Sequence, residues 1–199
     1  MSFTTLTAVK NALGIPAADT SKDAQLQPLV DSANAELLAF FGLTQCDAQQ
    51  YTNKYDTWDS TTDDLWLSPY PVVSVDSVSF DAVAVNAADY YLSRPTSFGQ
   101  LSMLERSFPF GRQRIEVTHT AGWAPGDVPA DLQRAGTLLA IHAFNTDARA
   151  GYDSEKIGQY SYKMGPAAAG AAGDGGGGAY PPSVSRILAF YRRPFASDH

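Results

Sequence analysis

The chain has 199 residues, 44% of them hydrophobic and 18% charged, a composition that can bury a core and is not that of a disordered protein. No stretch reaches the length of a membrane span, residues 1–10 lack the basic start and apolar centre of a signal peptide, and the lone Cys46 excludes an internal disulfide framework. An intracellular origin is the default expectation. The net charge of −7 is uneven: residues 1–110 hold 5 basic and 13 acidic side chains (−8), residues 111–199 hold 9 and 8 (+1). That balance opposes gripping nucleic acid by its phosphates.

In chain order, residues 5–13 predict a short helix, capped by Thr4 or Thr5 and terminated by Gly14. A longer helix begins near "DTSKD", with Thr20 or Ser21 as cap. Its apolar residues Leu26, Val30, Ala33, Leu37 and Phe41 recur at helical spacing, and Gly42 supplies the stop. Pro28 either kinks the first turns or marks the true start. Residues 45–64 are polar and acidic and read as a long connection. Their aspartates Asp56, Asp59, Asp63 and Asp64 lack the glycine and final glutamate of a calcium loop.

From Trp66 to Gly122 the period changes to two. "YPVVSVDSVSFDAVAV", "ADYYLSR", "GQLSMLE" and "RQRIEVTHT" predict successive strands of an antiparallel module, with Val73, Val75, Val78 and Phe80 marking strand faces. Helix then returns: Asp127 can cap it, Pro129 fits its first turn, and Leu132, Ala135, Leu139 and Phe144 line one face to about Asp147. "KIGQYSYKM" predicts a strand or an extended arm. The tract "GPAAAGAAGDGGGG" (residues 165–178) formally contains G-x-G-x-x-G, but prolines follow almost at once and no second strand can form, so it reads as a tether. Pro181 or Pro182 starts a last short helix. The expected class is therefore α+β: a helical core from residues 1–45 and 125–150, an inserted β module at 64–122, and an arm at 155–199 ending in that helix, all as one structural unit.

The usual catalytic signatures are missing from the sequence. His119, His142 and His199 show no metal-ligand spacing, no nucleophile elbow occurs, and nothing in the sequence supplies Cys46 with an activating base. Glu105 and Glu116 form no acid–base pair. No catalytic residue, cofactor or metal is expected.

The order of segments is informative. "DTSKDAQLQPLVDSANAELLAFFG" precedes "LSPYPVVSVDSVSFDAVAV" and "DYYLSR". "IEVTHTAGWAPGDVPADLQRAGTLLAIHAF", "SEKIGQYSYKM" and "VSRILAFYRRP" follow. This resembles the head–tail connector (adaptor) proteins of tailed bacteriophages over nearly the whole chain, most tellingly at "YPVVSV", "AGW…VPADLQ" and "KIGQYSY". The resemblance implies a structural virion protein of the neck. It implies a homo-oligomeric ring, twelvefold in symmetry, beneath the portal protein and holding a stopper or tail-completion protein. DNA would pass through the lumen without specific binding. Another tail-completion or neck protein, or a small enzyme with an unrecognised site, are the alternatives.

Two surfaces follow as expectations. Leu37, Leu38, Phe40 and Phe41 would give the second helix a broad apolar surface for ring contacts. Val184, Ile187, Leu188 and Tyr191, flanked by Arg186, Arg192 and Arg193, would dock on the portal or a neighbour, with folding back onto the chain's own core as the alternative. Acidic side chains of residues 1–110 are expected to line the lumen, where they would repel DNA phosphates.

Overall fold

A computed structural model describes residues 2–58, 63–93, 99–147, 155–157, 160–162 and 180–192. It has the expected α+β class, with helices and antiparallel sheets. The chain divides into two compact units. One comprises Met1–Phe3, Asn34–Ala130 and Tyr191–His199, the other Thr4–Ala33 and Asp131–Phe190.

The second of these units is helical. α1 (Leu6–Ala12) starts where the Thr5 hydroxyl accepts a hydrogen bond from the Ala8 amide at 3.2 Å, satisfying a donor that the first turn leaves open. Lys10 lies on its buried side. The Lys10 ammonium donates to the Ala17 carbonyl at 3.0 Å, the Asp19 carbonyl at 2.6 Å and the Asp23 carboxylate at 2.8 Å. The loop between α1 and α2 is thus wound around one cation. α2 (Asp23–Phe41) contains Pro28 in its interior, so the proline does not mark its start.

Also in this unit, α3 (Ala130–Asp147) buries Leu132, Ala135 and Leu139, as their spacing predicts. The Thr4 and Thr137 hydroxyls meet at 2.8 Å. β8 (Glu155–Ile157) and β9 (Tyr160–Tyr162) form a small antiparallel pair, and α4 (Pro182–Phe190) starts at the predicted proline. The expectation of a glycine-rich tether concerns residues 165–178, which lie outside the described residues.

The other unit holds two sheets. β1 (Gln49–Thr57), β3 (Val72–Phe80), β4 (Val83–Ala84) and β7 (Gly111–Ala121) form an antiparallel sheet in the order β1-β7-β3-β4. β2 (Asp64–Trp66), β5 (Tyr90–Ser93) and β6 (Gln100–Met103) form the second, in the order β2-β6-β5. Leu65, Leu101 and Met103 from one sheet share a buried cluster with Val78, Ile115 and Val117 from the other. This is a two-layer core of inward-facing alternate residues.

One reading is corrected here. Residues 49–57, read as part of a polar connection, are the nine-residue strand β1, paired with β7 from Gln49↔Ala121 to Thr57↔Gly111. The β region therefore begins before residue 64. A second, aromatic cluster of this unit lies around the last residues of α2, which from Asn34 onward belong to it. Phe41 lies 6.0 Å from Phe3, 5.0 Å from Trp123, 5.2 Å from Tyr70 and 6.0 Å from Tyr191, centroid to centroid.

Candidate assembly surfaces

The C-terminal turns of α2 carry the first expected contact surface. Leu37 and Phe41 are buried within this chain, whereas Leu38 and Phe40 are half-buried. The helix ends at Gly42 (φ +70°), with the Leu43 amide bonded to the Leu38 carbonyl at 2.9 Å, a left-handed cap that suits glycine. The Tyr70 hydroxyl donates to the Phe40 carbonyl at 3.1 Å, and its amide to the Phe41 carbonyl at 3.2 Å, occupying the helix's last acceptors. Only Leu38 and Phe40 of the four expected residues retain surface for a neighbour; Leu37 and Phe41 belong to the chain's own core.

The second surface is α4. Val184 and Leu188 are buried, Ile187 and Tyr191 are half-buried, and Arg186 and Arg192 are exposed. Arg193 lies outside the described residues. The apolar stripe is thus used within the chain, and the surface open to a partner is its rim of arginines. Sequence reading missed Phe190, which is 78% exposed. Its signal was that it stands one residue outside the stripe's spacing, beside the arginines.

Among the described residues, several titratable groups are held by hydrogen bonds to neighbouring side chains. The Asp76 carboxylate accepts from the Gln50 amide at 2.9 Å, the Thr120 hydroxyl at 3.2 Å and the Ser74 hydroxyl at 3.2 Å. The Gln50 bond is the chief cause holding its pKa below the ordinary carboxylate value. Hydrogen bonding to Arg114 does the same for Asp81. Burial pushes the Cys46 thiol up to about 11, so it stays protonated at neutral pH. His119 is buried, with its Nε2 3.3 Å from the Pro69 carbonyl and its ring stacked on Tyr51. His142 is exposed on α3, and His199 lies outside the described residues. Among the described residues no group of three or more His, Cys, Asp or Glu side chains could hold a metal ion, and no helix is long and apolar enough to cross a membrane.

A family model for head completion proteins matches residues 2–194. The chain belongs to the head completion protein family. Membership places it among the structural proteins of the phage head–tail neck, as the resemblance in the sequence implies. Two solved structures share the fold. A chain from the neck of an empty gene transfer agent (GTA) particle is 20% identical, with a TM-score of 0.57 over 97% of this chain and 91% of that one. A chain from the virion of a native gene transfer agent particle is 19% identical, with a TM-score of 0.58 over 97% of this chain and 90% of that one. No curated protein matches the chain.

Proposed function

We propose that this head completion protein is a connector that forms a ring, twelvefold in symmetry, beneath the portal and holds a stopper or tail-completion protein below. The family match across residues 2–194 carries this reading. The similar neck structure was computed with C6 symmetry, which is compatible with six subunits or a multiple of six. The role is structural and involves no chemical step.

Within this reading, Leu38 and Phe40 contribute to contacts between neighbouring subunits. Arg186 of α4 and Arg192 just after it, with the Phe190 ring between them in sequence, form the portal-facing surface. Their chemistry suits carboxylates set around an apolar pocket. Acidic side chains among residues 1–110 line the lumen, where negative charge lets DNA slide rather than bind. Native mass spectrometry of the chain with and without its portal tests the proposal. A ring bound to the portal is the expected result. A chain that stays monomeric and unbound at micromolar concentrations overturns it.

A further inference from the structure

We propose that Tyr191 is a positioning residue for the ring contact: packed on Phe41, it holds the last turn of α2 and sets Phe40, so the segment following α4 governs how a subunit meets its neighbour. The inference rests on the ring reading above. Phe40, Phe41, Tyr70 and Tyr191 belong to the same unit. Phe40 is half-buried and packs edge-on against Phe41, with centroids 5.0 Å apart and ring planes at 83°. Phe41 is 1% exposed, and it meets the half-buried Tyr191 ring edge-on at 6.0 Å and 78°. Phe41 therefore stands between the residue offered to a neighbouring subunit and the C-terminal segment. Edge-to-face packing orients each ring against the next, so freeing one loosens the other.

Tyr191 is the peripheral member of this group. Phe3 and Trp123, which also line Phe41, are buried, at 2% and 8% exposure. Tyr191 is half-buried and stands between two exposed residues, Phe190 and Arg192. A ring at the rim of a cluster gives up less buried area on leaving than one at its centre, so it leaves more readily.

With Tyr191 in place, the end of α2 is preorganised. The Gly42 amide bonds to the Ala39 carbonyl at 3.1 Å, the Leu43 amide to the Leu38 carbonyl at 2.9 Å, and the Tyr70 amide to the Phe41 carbonyl at 3.2 Å. Without it, Phe41 opens to water on one side, and Phe41 and Phe40 regain rotamers. A neighbouring subunit must then order those side chains at a cost in affinity.

Hydrogen exchange and sedimentation of the full chain compare the native sequence with Tyr191→Phe, Tyr191→Ala, Phe40→Ala and the double variant Phe40→Ala/Tyr191→Ala. Lys10→Ala, in the other unit, serves as a variant destabilised away from the cluster. Tyr191→Ala should accelerate exchange at the Gly42, Leu43 and Tyr70 amides and weaken self-association about fivefold or more. Tyr191→Phe, which keeps the ring, should match the native chain in both. Lys10→Ala should leave self-association of the folded chain as it is; an equal loss in both variants would reduce Tyr191 to a contributor to stability and overturn the proposal. In the Phe40→Ala chain, Tyr191→Ala should add no further loss of association, because the residue it positions is gone. Losses that simply add, or native exchange at the three amides in Tyr191→Ala, overturn the positioning role. A native chain that forms no ring, alone or with its portal, while Tyr191→Ala still accelerates that exchange, overturns the ring reading and the role in subunit contact, but not the hold of Tyr191 on the end of α2.

Discussion

The Lys10 ammonium, on a side chain only 4% exposed, sits 2.8 Å from the Asp23 carboxylate and connects the first turn of α2 to the body of α1. Its remaining protons go to two loop carbonyls, so all three donors are occupied. Replacing Lys10 with alanine strands a carboxylate and two carbonyls at once. Lys10→Ala should lower unfolding stability by about 3 kcal/mol, read as a shift in the urea midpoint at constant slope. A loss below about 0.5 kcal/mol would show that the cation holds nothing together.

Gly122 sits at φ +119°, and a β-carbon there would come within 2.9 Å of the Ala48 backbone. Backbone on the facing segment cannot rotate aside as a side chain could. Gly122→Ala should therefore cost about 2–3 kcal/mol by chemical denaturation, from strained conformation and forced separation together.

Leu188 on α4 is buried, and Leu188→Ala should destabilise the isolated chain by about 3 kcal/mol. Arg186→Glu and Arg192→Glu, at exposed sites, should leave stability within about 0.5 kcal/mol while weakening portal binding. Unchanged binding in the arginine variants would remove α4 from the portal interface.

Asp76 has a pKa below its ordinary value of 3.8, first because of its bond from Gln50. A carboxyl group depressed on folding contributes stability that is complete above its unfolded pKa and lost as pH falls through the folded one. The native chain should weaken progressively below about pH 4, and Asp76→Asn should flatten that acid limb. Because the carboxylate is exposed, the difference at neutral pH should stay below about 1 kcal/mol. Denaturation midpoints from acid to neutral pH read both effects.

The buried Cys46 thiol, pushed up to about 11, should resist alkylation at pH 8 in the native chain and react fully in denaturant. Rapid native labelling would mean that the segment around Cys46 opens readily.

Much of this structure was legible in the sequence because local and global preferences agree. α1 follows its Thr5 cap, α3 its apolar stripe after Pro129, and β7 its alternating Ile115, Val117 and His119. β1 was not legible, because its half-buried side carries Tyr51, Asn53 and Tyr55 instead of aliphatic residues. Those polar atoms find partners inside: the Tyr55 hydroxyl donates to the Ser68 carbonyl at 3.0 Å and accepts from the Ser68 amide at 3.0 Å. An inward polar group costs little once bonded, which hides the strand from a search for apolar alternation. The fate of α4 was equally closed to sequence reading. A stripe such as Val184 and Leu188 fits a partner's groove or its own core equally well, and only the fold places it inside.

The ring of Phe41 touches Phe3 on one side and Tyr191 on another, a sequence span that has a consequence during synthesis. Contacts this far apart in the chain raise the contact order and slow the approach to the native state. A nascent chain emerging from the ribosome cannot complete the aromatic cluster until residue 191 has cleared the exit tunnel. Until then the face of Phe41 that meets Tyr191 lacks its partner. A product truncated before residue 191 therefore lacks the Tyr191 ring that packs on Phe41 and is left with an incomplete aromatic cluster.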